Sequence, residues 1–221
     1  MPGTDQKPSG NVDLAVRERL LHAAVDAFAR FGFEGASLRM IAQNAGVAFQ
    51  LITYYFGSKE DLWFASVDFL FEERVNAAKT TFSPVKDFET QLREWLRIAL
   101  RFSIQQPQLR QIVCQEYLAR SDRYEKQLRP RLREATPYFN YFFNQAQAQG
   151  IATRLSTSEM MLILRGILLM AALAPEDITS LLGGKIDSHR TIDVLTDFIV
   201  NLFMKGEGTS ALRQPTAVPT A

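Results

Sequence analysis

Cysteine and histidine are scarce in this chain. Its 221 residues include one cysteine, Cys114, and two histidines, His22 and His189. A single cysteine cannot form an intrachain disulfide, and two histidines far apart in sequence do not supply the ligand set of a structural zinc site. The composition therefore predicts a fold held by its apolar core, without a metal or another cofactor.

Long apolar runs are also missing. The most apolar stretch, residues 160–174, is interrupted by Arg165 and Gly166 and is shorter than the roughly 20 residues that span a membrane. The opening sequence MPGTDQKPSG has no apolar segment of the kind found in a signal peptide. We therefore expect a cytoplasmic protein that does not contact membranes.

Neither sign of charge is in excess. The chain has 25 lysines and arginines against 24 aspartates and glutamates, a net charge of +1. Residues 11–62 carry five basic and six acidic side chains, so this segment has a net charge of −1. Such a balance excludes a polybasic nucleic-acid coat protein, but it does not exclude a sequence-specific DNA binder, whose charge can be local.

Apolar residues recur every three or four positions through most of the chain, which is the spacing of helices with one buried face. They make up 47% of the residues. No alternating segment bounded by turn residues indicates a strand, so the predicted fold class is all-α. The first helix is expected over residues 13–31, with Asp13 as its N-cap and Gly32 as its end.

Further helices follow along the chain. Capping boxes starting at Ser58 and Ser156 open two of them. Pro130 and Pro137 are expected to kink a long helix, and residues 175–187 are expected to form a loop. The predicted helices span residues 37–44, 48–54, 58 onward, 84–104, 107–119, 122–149, 156–174 and 188–205.

The most informative segment is LRMIAQNAGVAFQLITYY, residues 38–55. Two short helices meet there at Gly46, a residue that tolerates left-handed backbone. Ala42 is small enough to face the partner helix, and Ile52 supplies a buried branched side chain in the second helix. This spacing is typical of a helix-turn-helix motif, whose second helix enters the DNA major groove. Plain packing of a helical hairpin gives a similar pattern.

A longer pattern separates these alternatives. The segments FARFGFEGASLRMIA (28–42), AGV (45–47) and YYFGSKEDL (54–62) resemble the N-terminal domain of the TetR/AcrR family of transcriptional regulators. The resemblance covers residues 16–62, in order and with matching gaps. It implies a three-helix head joined through a fourth helix to a larger helical body that binds a ligand and forms a homodimer.

The resemblance also implies a domain organisation. We expect a disordered arm over residues 1–11, a helix-turn-helix DNA-binding domain over 12–62, a ligand-binding and dimerisation domain over 63–205, and a disordered tail over 206–221.

Candidate DNA contacts follow from the side-chain chemistry of the helix-turn-helix segment. A guanidinium can bind guanine, an amide can pair with adenine, and an apolar ring can contact the thymine methyl group, so Arg39, Gln50 and Phe49 are the candidate base contacts. The candidate phosphate contacts are Ser37, Thr53, Tyr54 and Lys59. The alternatives are a solvated charge for Arg39 and packing against the first helix for Phe49.

Two groups of residues in the body complete the set of candidates. The resemblance implies a ligand pocket, for which we select Trp95, Phe102, Cys114, Tyr117, Tyr138 and Phe142. The segment 156–174 is apolar nearly all round and, with the last helix, is expected to form a dimer interface. The interface candidates are Met160, Leu164, Ile167, Leu168, Leu195, Phe198 and Leu202. A basic stretch near Arg120 and Arg123 is interpreted as a solvated, ion-paired face, with an anchor for an acidic ligand as the alternative.

The leading hypothesis for function is a dimeric regulator, most simply a repressor, that binds a pseudo-palindromic operator and is released by a small molecule. The alternative is a helical dimeric scaffold or sensor that does not bind DNA, which the neutral head and Thr53, at a position where the family usually has Tyr, would favour. An enzyme is not expected, because the sequence offers no nucleophile–base set, metal-ligand cluster or glycine-rich phosphate loop.

Overall fold

The structure is a computed structural model that describes residues 10–79, 86–134, 136–150, 155–182 and 188–204. Every regular element within these ranges is a helix, which confirms the predicted all-α class. The elements are α1 (Gly10–Gly35), α2 (Leu38–Ala45), α3 (Gln50–Phe56), α4 (Lys59–Lys79), α5 (Phe88–Gln105), α6 (Gln108–Leu118), a π-helical turn (Tyr124–Leu128), α7 (Arg129–Glu134), α8 (Thr136–Ala148), α9 (Thr157–Leu173), α10 (Pro175–Leu181) and α11 (Ser188–Phe203).

The first helix starts earlier than predicted. It begins at Gly10, so Asp13 lies in its first turn and is not its N-cap. Gly32 has φ 69° and ψ 176°, which breaks the helix at the predicted position. Residues 1–9 of the expected arm and the whole expected tail lie outside the described residues.

The side-chain caps predicted at Ser37, Ser58 and Ser156 are present. The Ser37 hydroxyl accepts a hydrogen bond from the Met40 N–H at 3.1 Å and caps α2. The N–H of Asp61 donates to the Ser58 hydroxyl at 3.0 Å at the start of α4. A complete capping box formed with Glu159 opens α9. Each cap satisfies N–H groups that the first turn leaves without a partner.

Three predictions for the body need correction. Residues 175–187 are not all loop, because Pro175 fits the first position of α10 and acidic side chains follow it. The helix expected from residue 84 begins at Phe88, capped by Asp87. The long helix expected over 122–149 is divided into the π-helical turn, α7 and α8.

Buried apolar side chains form two clusters. The first combines α1, α2 and α3 with α4, α6 and the π-helical turn, so Leu62 and Trp63 share a core with Ile41. The second is built from α5, α8, α9 and α11. The head therefore packs directly on α4 and α6, and the predicted domain limits at residues 62 and 63 stay a prediction.

No single helix in the described ranges has both the length and the apolar composition of a membrane span. The pair α9 and α10, bent by 110°, meets those two criteria only when taken together.

Candidate nucleic-acid interface

The turn between α2 and α3 is fixed by backbone hydrogen bonds. Gly46 has φ 64° and ψ 39°, in the left-handed region. Its N–H donates to the Gln43 carbonyl at 3.1 Å, and the N–H of Val47 donates to the Ala42 carbonyl at 3.0 Å. These two bonds are the Schellman arrangement that ends helices. They set the direction in which α3 leaves α2.

The core of the motif has the composition that the sequence predicts. Ile41, Ala42 and Ile52 are buried in the first cluster, and Val47 packs against it. Leu20 of α1 belongs to the same cluster. Both helices of the motif are thereby anchored on α1, which leaves their opposite faces to solvent.

The three candidate base contacts lie on that solvent-facing side. Arg39 on α2 and Gln50, the first residue of α3, are exposed. Phe49 immediately precedes α3 and is 41% exposed. An amide and an apolar ring therefore lie at the amino end of α3, where a recognition helix contacts bases, and an exposed guanidinium lies on α2.

The four candidate phosphate contacts belong to α3 and to the starts of α2 and α4. Thr53 and Tyr54 of α3 are exposed, as is Ser37, whose hydroxyl already caps α2. The Lys59 ammonium at the start of α4 donates to the Glu34 carbonyl at 3.3 Å and lies 4.7 Å from the Phe33 ring centroid. An ammonium has further N–H donors, so this contact positions Lys59 without using all of them.

A hydrogen bond that sequence reasoning missed joins α3 to α1. The Tyr55 hydroxyl donates to an Asp13 carboxylate oxygen at 2.5 Å. This bond, with smaller contributions from desolvation and the negative charge of Asp13, raises the pKa of Tyr55 to about 12. The two residues are 42 positions apart, so no local pattern could pair them.

The negative charge of the head is largely engaged within the chain. Five of the six acidic side chains of the segment 11–62 have a hydrogen bond or an ion-pair contact with another side chain. They are Asp13 with Tyr55, Glu18 with His22, Asp26 with Gln108, Glu34 with Arg123, and Asp61 with Ser58. None of these contacts involves Arg39, which is exposed.

Arg123 connects the head to the body. Its guanidinium lies 3.7 Å from the Phe33 ring centroid in the head, and its Nε donates to the buried Glu116 carboxylate at 3.0 Å. The Gln115 amide of α6 also donates to the Ala29 carbonyl of α1 at 2.7 Å. Arg123 is therefore ion-paired within the chain, as predicted, but its side chain is only 17% exposed, so the expectation of a solvated face is wrong at this residue.

The structure spreads the candidate pocket residues over different surroundings. Trp95 packs against the second cluster, and Phe102 and Cys114 are partly buried. Tyr117 is 63% exposed and contacts the ring of Tyr124 at its edge, so it lies on the surface of the chain. The side chains of Tyr138 and Phe142 lie outside the described residues.

The dimer candidates divide into buried and exposed residues. Four of them are buried in the core of their own chain and have almost no exposed surface for a partner. The prediction that they form the dimer interface is therefore wrong for Met160, Leu164, Leu168 and Leu195. Phe198 is 55% exposed, and Ile167 and Leu202 are partly exposed. The apolar surface of α9 comes instead from Leu162, which is 75% exposed, and from Met170 and Leu173.

Comparison with known proteins gives a consistent result. Residues 20–65 match the family model described as bacterial regulatory proteins, tetR family. The chain is 34% identical over 108 residues to the HTH-type transcriptional regulator RutR of Escherichia coli, an alignment that covers 48% of this chain and 49% of RutR. It is 28% identical over 137 residues to the HTH-type transcriptional repressor NicS of Pseudomonas putida, covering 61% and 65%.

The likeness to solved structures extends further along the chain. A TetR family transcription regulator from Marinobacter aquaeolei superposes with a TM-score of 0.70 at 19% identity, covering 89% of this chain and 99% of the other. At this identity the comparison concerns the fold. The alignment with RutR spans about half of that protein's length.

Proposed function

We propose that this chain, which belongs to the TetR family of bacterial regulatory proteins, is a sequence-specific DNA-binding transcriptional regulator. The observation that carries this proposal is the exposure of Arg39 on α2 and of Phe49 and Gln50 at the amino end of α3, two helices held by the buried core of the motif. These side chains offer the donors, acceptors and apolar surface that read base edges. Ser37, Thr53, Tyr54 and Lys59 supply the accompanying phosphate contacts.

The regulator acts as a homodimer on a pseudo-palindromic operator. Two copies are needed because one short helix reads few base pairs, and two-fold symmetry places two recognition helices about one DNA turn apart. The exposed apolar side chains of α9 and α11, Leu162, Met170, Leu173 and Phe198, support a self-association surface in the body. A Cβ built on Gly166 of α9 meets no heavy atom within 4 Å, which leaves room for a second helix.

A small-molecule effector bound in the body releases the repressor from DNA. Such release requires that the effector bind the DNA-free arrangement more tightly than the DNA-bound one. The support for this step is the direct packing of α4 and α6 on the head, which gives a rearrangement in the body a route to α3. NicS, one of the relatives, is named as a repressor.

Selection of binding sites from a random double-stranded DNA library tests the proposal. We expect the purified full chain to enrich a palindrome of about 15–20 base pairs, since two half-sites lie about one turn apart. Binding should weaken at higher salt, because releasing counterions from the phosphates into concentrated salt is less favourable. A folded protein that enriches no sequence at either salt concentration would favour the scaffold or sensor instead.

Substitutions then assign the base contacts on the selected operator. Gln50→Ala and Arg39→Ala should each weaken operator binding by about tenfold or more, because a bidentate base contact contributes roughly 1–3 kcal/mol. Gln105→Ala and Arg101→Ala are the matched controls, since these exposed residues lie on α5 in the body. Equal effects of head and body substitutions would contradict the assigned interface.

A further inference from the structure

Arg74 of α4 is held in the body by contacts that leave part of its guanidinium free. Its Nη1 donates to the Leu70 carbonyl and its Nη2 to the Gln106 carbonyl, both at 2.8 Å. The guanidinium carbon lies 4.8 Å from the Phe102 ring centroid. A guanidinium has more N–H donors than these two bonds use.

Arg110 of α6 brings a second cation into the same region. Its Nε donates to the Ser103 hydroxyl at 3.2 Å, and this buried hydroxyl donates in turn to the Ala99 carbonyl at 2.9 Å. The bond to Ser103 fixes the guanidinium against α5 and leaves its terminal nitrogens available. Both arginines are partly buried.

The two cations are close enough to affect each other. Burial, and next the positive charge of Arg110, lowers the pKa of Arg74 to about 10, while the carboxylate of Glu73 acts in the opposite direction. Burial, and next the positive charge of Arg165 on α9, lowers the pKa of Arg110 to about 10. Both groups remain protonated at neutral pH, so like charges are held together in a region of reduced dielectric.

Five other arginines of the body have a carboxylate partner, whereas none is found for Arg74 or Arg110 among the described residues. Ion pairs are formed by Arg93, Arg97, Arg123, Arg129 and Arg131. In the part of the chain that the structure describes, no carboxylate lies within 4.0 Å of Arg74 or Arg110. A partly buried cation without a counter-ion costs free energy that a bound anion would offset.

We propose that Arg74 and Arg110 together bind the oxyanion headgroup, a carboxylate or a phosphate, of a small organic acid. The free N–H groups of two guanidinium forks match the paired oxygens of such a group. The partly buried ring of Phe102 lies beside the headgroup, so the adjoining part of the ligand is apolar. We identify this acid as the effector, and that identification alone rests on the proposed function.

The two arginines lie on different helices, so an anion bound by both would link those helices. Arg74 belongs to α4, which starts in the head at Lys59, whereas Arg110 belongs to α6, which packs on α1. An anion held by both side chains fixes α4 relative to α6. It therefore acts on the two helices that support the head.

Calorimetric titration of the full chain without DNA tests the site. The probes are benzoate, phenyl phosphate and inorganic phosphate, with benzyl alcohol as the uncharged counterpart of the aromatic probes. We expect benzoate or phenyl phosphate to bind and benzyl alcohol not to bind. The aromatic anion that binds more tightly identifies the headgroup. If inorganic phosphate binds as tightly as the aromatic anions, the apolar part of the ligand contributes nothing, and the organic-acid assignment is overturned.

Arg110→Met is the decisive variant, and Arg97→Met, which removes an exposed cation paired with Asp193 on α11, is its control. Loss of charge-assisted hydrogen bonds should weaken anion binding by about tenfold or more in Arg110→Met and leave it unchanged in Arg97→Met. Without anion, the thermal midpoint of Arg110→Met should not fall, because the substitution also removes repulsion with Arg74. A lower midpoint together with unchanged anion binding would identify Arg110 as purely structural and overturn the proposal.

The outcomes separate this site from the proposed function. Anion binding through Arg110 in a protein that selects no DNA sequence would leave the site in place and remove the regulator. A protein that selects an operator but binds none of the three anions would keep the regulator and overturn the site.

Discussion

The Tyr55 hydroxyl and the Asp13 carboxylate show how much a single contact contributes to the position of the recognition helix. Tyr55 lies near the end of α3, and Asp13 lies in the first turn of α1, so their hydrogen bond links two helices that the chain connects only through α2. The sequence suggested an N-cap role for Asp13 and no partner for Tyr55. The two residues instead form one polar contact at the edge of the first cluster.

This contact predicts a dependence of stability on pH. Because the pKa of Tyr55 is raised to about 12 in the folded chain from 10.0, the bond should stabilise fully below about pH 10, and its contribution should disappear as the pH rises through about 12. Urea unfolding of the wild type and Tyr55→Phe across this range measures the difference. It should be present at neutral pH and vanish at the alkaline end, while Tyr117→Phe, at an exposed position, shows no such trend.

Gly46 is the residue at which the turn depends most on backbone conformation. Its φ of 64° is costly for a residue with a Cβ, although a Cβ there meets no atom within 4 Å. Gly46→Ala should therefore lower the free energy of unfolding by about 1–2 kcal/mol through backbone strain alone. Gly46→Asn is the control and should lose less, since Asn tolerates this region. Equal losses measured in urea would show that something other than φ is responsible.

At the scale of elements, the junction between head and body depends on a buried ion pair. Glu116 of α6 is bonded by Arg123 and by the Ser121 hydroxyl, and it is almost fully buried. Arg123 reaches from there to the Phe33 ring of the head. The π-helical turn that follows Arg123 changes the helical register at this point, which no spacing in the sequence indicated.

Removing one partner of this pair should be costly. Arg123→Met leaves the Glu116 carboxylate buried with less compensation and should lower the free energy of unfolding by about 3 kcal/mol. The double variant Arg123→Met with Glu116→Met should recover part of that loss, because no uncompensated charge remains. Arg129→Met removes an exposed pair with Glu125 and should have no measurable effect. A double variant less stable than Arg123→Met would contradict a penalty of this origin.

At the scale of the whole molecule, the described body leaves a set of apolar side chains on α9 and α11 exposed. They are Leu162, Met170 and Leu173 of α9 and Phe198 of α11. Their neighbours on the same helices fill the second cluster, so α9 has an inner and an outer apolar face. This division explains why a helix that is apolar nearly all round contributes both to its own core and to the proposed dimer.

Charge placed on the outer face should separate the dimer. Leu162→Glu and Phe198→Glu should each shift the sedimentation coefficient from dimer towards monomer, because a desolvated carboxylate opposes association. The folded monomer should keep its helical circular dichroism, since neither side chain belongs to the second cluster. Leu118→Glu, at an equally exposed site on α6, is the control and should leave the dimer intact. Three variants with the same oligomeric state would exclude this face as the interface.

The sequence by itself determined the features that a few neighbouring residues can specify. The caps at Ser37, Ser58 and Ser156 and the turn at Gly46 are encoded by side-chain chemistry and backbone freedom within one helical turn. The all-α class follows from the repeated three- and four-residue spacing. Local patterns also explain the wrong prediction of a loop over residues 175–187. Pro175 and two glycines are strong loop signals, whereas the short helix there has no long apolar repeat to indicate it.

Only the tertiary structure decided which distant groups meet. Tyr55 bonds to Asp13, Arg123 lies over Phe33 and Arg110 acts on Arg74 because several helices pack around shared cores. It also decided which face of α9 is buried, since every side of that helix is apolar and periodicity alone cannot choose among them. Such pairings depend on the relative positions of whole helices, which no local spacing specifies.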